Sequence, residues 1–288
     1  MSALREIRLA GGRGELTALR GGDPAGPKLL CLHGWLDNAA SFVPLAPHLA
    51  MFDLVALDLP GHGGSAHRAP GHDYVFADWV HDVLDAADAL GWERPHWLGH
   101  SMGGAIASVV AAAAPQRVDR LALVEALGPV AGDPAQAATR MRTAVATRRA
   151  QGTRPPRVIA DIDTAVAARL VASRMAPDAA RLIVERNLRA VDGGFAWRSD
   201  PRLTLPGMMR MDEATVQALL RAIEAPVRLV AADPSPPYFA AGVREARLAC
   251  LADVRVDVLP GGHHLHMEQA DLVGPLLRDF LLDAVSAR

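Results

Sequence analysis

Short apolar runs alternate with helix-length amphipathic stretches through the first 130 residues. Residues 28–32, 53–59, 96–98 and 118–124 are compact apolar runs bounded by turn-forming residues, the signature of buried strands. Between them, residues 75–90 place Val75, Trp79, Val83, Ala87 and Leu90 at helical spacing with acids in between, which predicts an amphipathic helix. Residues 41–49 read as a short helix containing prolines. Residues 5–19 hold two weakly alternating segments that fit an edge hairpin turning at Gly11-Gly12-Arg13-Gly14. Strands that alternate with helices predict a mostly parallel sheet covered on both faces. In such sheets function gathers at the carboxyl ends of the strands. His33, Pro60 to Ser65, Ser101 and Glu125 all fall at those ends.

After Pro129 the alternation stops. Helical patterns occupy 134–149, 163–173, 177–189 and 213–223, with the stretch 192–202 lying between two of them. Strand patterns resume at 226–231 and 254–259. A helix is expected over 238–248, a loop over 260–266 and a closing helix over 271–284. An insert of this length between two strands predicts a helical cap over the sheet's active edge. The expected division is a core of residues 1–132 and 223–288 and a cap of residues 133–222.

Composition narrows the classes. The chain has 288 residues, half of them hydrophobic, enough for a sizeable core. A formal net charge of −2 gives no electrostatic case for a nucleic acid or an anionic membrane. Cys31 lies in an apolar run and reads as a buried thiol, so no disulfide framework with Cys250 is expected. The first residues lack an apolar signal core and no apolar block is long enough to span a bilayer, which predicts a cytoplasmic protein. The glycines at 11–14 lack dinucleotide-fingerprint spacing, and no cofactor is expected. Oligomeric state is not encoded in any pattern found.

The chemistry centres on Gly99-His100-Ser101-Met102-Gly103, a Gly-x-Ser-x-Gly motif between an apolar run and a small-residue helical segment. In that setting it reads as a nucleophile elbow, whose strained serine requires small neighbours two residues away on each side. A serine hydroxyl is a poor nucleophile without an adjacent base. Three histidines crowd the loop after the last strand: His263, His264 and His266. A metal site built from the three finds no carboxylate or cysteine at a recognised ligand spacing. Two carboxylates at strand ends compete to orient the base, Glu125 and Asp233. The oxyanion donors expected for such an elbow are the backbone amides of Met102, just after the serine, and Trp35, just after His33-Gly34.

Together these residues resemble the α/β-hydrolase superfamily over nearly the whole chain. The block His33-Gly34-Trp35-Leu36-Asp37-Asn38 is similar to that of the serine hydrolase-like branch. Asp58 to Gly63, Gly99 to Gly103, Gly262-His263 and Gly194 to Arg202 match further stretches of the family in order. The resemblance implies an α/β-hydrolase fold with a helical cap inserted after the sixth strand. It implies His263 as the base, from its interval to Glu268. It places the orienting acid at Glu125 as in one group of relatives, or at Asp233, the commoner position, where Ala-x-Asp-Pro replaces the usual motif. Serine rather than aspartate at the elbow implies acyl transfer from a small-molecule carboxylic ester, of carboxylesterase type and without cofactor or metal. The alternatives are a thioester, lactone or carbon–carbon bond, perhydrolysis, or a binding protein that has kept the fold.

Overall fold

The computed structural model describes residues 4–151 and 158–283. Ala284 of the expected closing helix and residues 152–157 of the expected insert lie outside the described residues. Strands β1 (Arg5–Gly11) and β2 (Gly14–Gly22) form the edge hairpin, with Gly11 paired to Gly14. Strands β3 (Lys28–Leu32), β4 (Asp53–Leu57), β5 (His96–His100) and β6 (Leu121–Val124) follow. Helix α1 (Phe76–Ala89) lies between β4 and β5, and α2 (Met102–Ala113) between β5 and β6. The expected helix over 41–49 is instead two 3-10 turns, Ala39–Phe42 and Ala46–Leu49. Pro44 and Pro47 have no N–H to give, so an α-helical ladder cannot run through them.

Beyond β6 come α3 (Ala137–Gln151), α4 (Ile162–Ala172) and α5 (Pro177–Asn187). The pattern over 177–189 predicts helix to its end, but the chain turns at Asn187 into a hairpin, β7 (Leu188–Val191) and β8 (Gly194–Trp197). Asp192-Gly193 closes it, a two-residue turn in which Gly193 takes a φ of +82°. Then come α6 (Glu213–Arg221), β9 (Val227–Asp233), α7 (Ala241–Leu248), β10 (Val254–Pro260), α8 (Leu265–Glu268) and α9 (Ala270–Leu282).

The main sheet runs β1-β2-β4-β3-β5-β6-β9-β10. Every pair from β4 to β10 is parallel, and only the β1–β2 and β2–β4 pairs are antiparallel. Alternate side chains of the apolar strands feed opposite faces, as the pleat requires. Leu30 and Leu32 enter the core shared with α1, α2 and α6, while Leu29 and Cys31 enter the core shared with α9. Burial pushes the Cys31 thiol up, and both cysteines are free. Helices α4 and α5 with the β7–β8 hairpin build a separate cluster around Ala165, Val166, Ala180 and Val184. The expected insert ends at residue 222, yet its last helix, α6, sends Val216 and Leu220 into the sheet core against α2. No described helix is long and apolar enough to cross a membrane.

Candidate active site

Strand β5 ends at His100 and helix α2 starts at Met102, leaving Ser101 to make the turn in a single residue. Its φ of +50° is a conformation side-chain-bearing residues rarely adopt. The amide of Ser101 donates to the Val124 carbonyl (3.0 Å) and its carbonyl accepts from Ala105 (3.0 Å), so both sides of the strained residue are tied down. The flanking glycines are demanded by space: a Cβ at Gly99 would strike the Gly104 backbone, and one at Gly103 the carbonyls of Leu32 and His33. That second contact seats the first turn of α2 against the end of β3, where the Trp35 loop begins.

His263 stands in the loop after β10, with Nε2 3.0 Å from Ser101 Oγ. Its Nδ1 faces Glu125 Oε2 at 3.3 Å. The Glu125 side chain is fully buried, while that of His263 is 27% exposed. Glu125 follows β6 with a φ of +55°, a second strained residue at a strand end. Its other oxygen accepts the Ala232 amide of the neighbouring β9. Asp233, one residue further along β9, is exposed, and its carboxylate meets no hydrogen-bond or ionic partner among the described residues. The structure thus brings Ser101, His263 and Glu125 together and leaves Asp233 outside.

The other histidines are placed otherwise. His33 donates from Nδ1 to the Gly34 carbonyl (2.7 Å) and accepts the Leu59 amide at Nε2 (2.9 Å), joining two strand-end loops. His62 accepts the Leu36 amide. Burial lowers His33 to about 4 and His62 to about 3, so both are neutral supports. His100 donates from Nε2 to the His263 carbonyl (2.9 Å) and turns Nδ1 toward Asp37, 3.5 Å away. His264 Nε2 lies 3.4 Å from the same carboxylate, and His266 is buried with neither ring nitrogen bonded among the described residues. Among the described residues no cluster of three or more such side chains is arranged to hold a metal ion.

Asp37 and its surroundings were not read as functional from the sequence. Burial pushes the Asp37 carboxyl up, but its imidazole neighbours and the Arg169 guanidinium outweigh that and hold it well below the usual carboxylate range. His100 is itself lowered to about 4 by burial, and its one proton goes to the shorter contact with His263. The Arg169 guanidinium and His264 Nε2 reach the same carboxylate. Arg169 comes from α4 and also donates to the Leu36 carbonyl (3.0 Å). The Trp35 indole donates to Leu203 (3.0 Å), and Asn38 to Ile183 on α5 (2.8 Å). The amides of Trp35 and Met102 themselves meet no acceptor among the described residues.

Tyr238 is a further residue at this centre that sequence reading missed. Its hydroxyl lies 3.0 Å from His263 Nδ1 and 3.2 Å from Nε2. The signal available was indirect: β9 and β10 are neighbours, so the loop after one must face the loop after the other.

A parallel sheet with a strained serine at one strand end and an imidazole–carboxylate pair at two others defines a known class. The family model for the alpha/beta hydrolase fold matches residues 27–199, and the chain belongs to that family. Within it, the chain is similar to the serine hydrolase-like proteins. It is 31% identical to one from Dictyostelium discoideum over 89% of this chain and 75% of that one. It is 30% identical to one from Danio rerio over 97% of this chain and 89% of that one. A crystal structure of a hypothetical protein from Pseudomonas aeruginosa PAO1 superposes with a TM-score of 0.90 at 40% identity, covering 97% of this chain and all of that one.

Proposed function

We propose that the protein is a metal-independent serine hydrolase that cleaves a small-molecule carboxylic ester through an acyl-enzyme. The observation that carries this reading is the continuous path from Ser101 Oγ through the His263 ring to the buried Glu125 carboxylate, at 3.0 and 3.3 Å. In this reading Ser101 attacks the acyl carbon and gives its proton to His263 Nε2. Glu125 holds the ring with Nδ1–H toward itself and stabilises the imidazolium. The negative charge on the acyl oxygen is met by the amides of Trp35 and Met102, both without other acceptors among the described residues. Collapse breaks the ester bond, and the leaving oxygen takes the proton from Nε2. Water then repeats the sequence on the acyl-serine, giving the carboxylic acid and restoring the Ser101 hydroxyl.

Residues 133–222 act as a cap in this reading. Support comes from Arg169, Ile183 and Leu203, which all bond the 35–38 loop from that segment. Met208, Met209 and Met211 give it an adaptable apolar wall. The test is covalent labelling with a fluorophosphonate probe. Wild-type protein should be labelled and Ser101→Ala should not. A folded wild-type protein that fails to label would favour a binding protein that has kept the fold.

A further inference from the structure

Tyr238 sits where neither of the two relay contacts needs it. The Nδ1 side of His263 is taken by Glu125 and the Nε2 side by Ser101, so the phenol is a spare donor over the ring. Its position is built rather than accidental. Pro234, Pro236 and Pro237 stiffen the loop that carries it, and the next residue, Phe239, is buried in the sheet core. Ser235 of the same loop is held by Arg244 from α7 (2.8 Å). The two rings stand nearly perpendicular, at 87°, so the phenol presents its hydroxyl to the face of the imidazole, within reach of both nitrogens. Tyr238 itself is 46% exposed and open to an incoming molecule.

We infer that Tyr238 donates a hydrogen bond to the leaving-group oxygen of the substrate and so lets the site cleave esters of ordinary, poorly departing alcohols. This rests on the hydrolase reading above. The oxygen that departs must stand within about 3 Å of His263 Nε2 to receive its proton. The phenol lies over the ring 3.2 Å from that same nitrogen, so a departing oxygen that approaches Nε2 from the phenol's side of the ring meets both. As the carbon–oxygen bond breaks, the electron pair stays on that oxygen and the proton comes from Nε2. Tyr238 keeps its own proton and only shares it. Burial, then the Glu125 charge, pushes the phenol up to about 12, so it remains a neutral donor throughout the working range.

The experiment compares Tyr238→Phe with wild type on two esters of one acid, ethyl butyrate and p-nitrophenyl butyrate. Nitrophenolate departs without help and an alkoxide does not. The expected kcat/KM falls about tenfold on the ethyl ester, one lost hydrogen bond's worth, and less than about threefold on the activated ester. Equal losses on both esters would mean that Tyr238 only holds the histidine, and would overturn the inference. No loss on either ester, or a greater loss on the activated ester, overturns it equally. Fluorophosphonate labelling separates the two levels. A wild type that does not label removes the hydrolase reading and this inference with it, whereas a wild type that labels with equal ester losses removes this inference alone.

Discussion

Two imidazole–carboxylate pairs stand side by side at the carboxyl edge of the sheet, their rings 4.8 Å apart. His263 faces Glu125 at 3.3 Å and His100 faces Asp37 at 3.5 Å. The distances alone would not separate them. What differs is the far nitrogen and its access. His263 Nε2 meets the hydroxyl of Ser101 in a ring that is 27% exposed, while His100 Nε2 is committed to the His263 carbonyl in a ring that water does not reach. In the proposed reaction the first pair exchanges a proton with the substrate. The second carries a buried charge balanced by Arg169 and holds the loops that frame the first. An imidazole beside a carboxylate is a common structural device, and chemistry enters only where the other nitrogen is free and reachable.

The strongest way to break this comparison is to remove the histidine of the first pair and, separately, a second imidazole that touches Asp37. On p-nitrophenyl butyrate, His263→Ala should lower kcat about 10⁴- to 10⁶-fold, the scale of losing a triad base. His264→Gln should stay within roughly a factor of ten in kcat, because it strips a partner from Asp37 and not from the hydroxyl. Its cost should appear in stability, a fall in Tm of about 2–8 °C for a buried polar contact. Comparable losses of turnover in the two variants would erase the distinction between the pairs.

Next in size is the carboxylate. Glu125→Gln keeps the shape and removes the charge that orients His263, and a loss of about 10²- to 10⁴-fold in kcat is expected. Asp233→Asn should stay within about twofold, since that side chain is exposed and bonds nothing among the described residues. The reverse outcome would move the acid to β9. Parallel steady-state assays of both variants decide it.

That choice marks where the sequence stopped being legible. Ser101 could be read because its constraints are local: Gly99 and Gly103 are two residues away and clear the space the turn needs. The mostly parallel sheet likewise follows from apolar runs broken by helices. Which carboxylate turns inward depends on reach between strands. Glutamate is one methylene longer than aspartate, and from β6 its oxygens span to the Ala232 amide on β9 and to His263 at once. Tyr238 and Arg169 were invisible for a related reason. They act on residues 25 and 132 positions away, across contacts that exist only once the loops have been brought together. The β7–β8 hairpin failed differently. Its Asp192-Gly193 turn was present in the sequence, but the helical spacing just before it was carried two residues too far.

The smallest predicted effect sharpens the comparison through pH. His33, His62 and His100 all lie on the buried, supporting side, and burial lowers them to about 4, 3 and 4. An unfolded chain takes up protons on these rings as pH falls through 6.5, the ordinary value of histidine, while the folded chain does not until near pH 4. Between those limits the unfolded state binds more protons, so stability must rise with pH and fall with acid. Each such ring contributes on the order of 1 kcal/mol per pH unit within the window. Urea unfolding at pH 5.0, 5.5, 6.0 and 6.5 reads this slope directly. His62→Gln keeps an amide donor and acceptor for Pro60 and Leu36 but cannot titrate, so its slope should be shallower by about one ring's share. A slope that is flat in wild type, or unchanged in the variant, would mean that these rings are charged in the folded protein. The supporting side would then be a second titrating site rather than the neutral frame of the first.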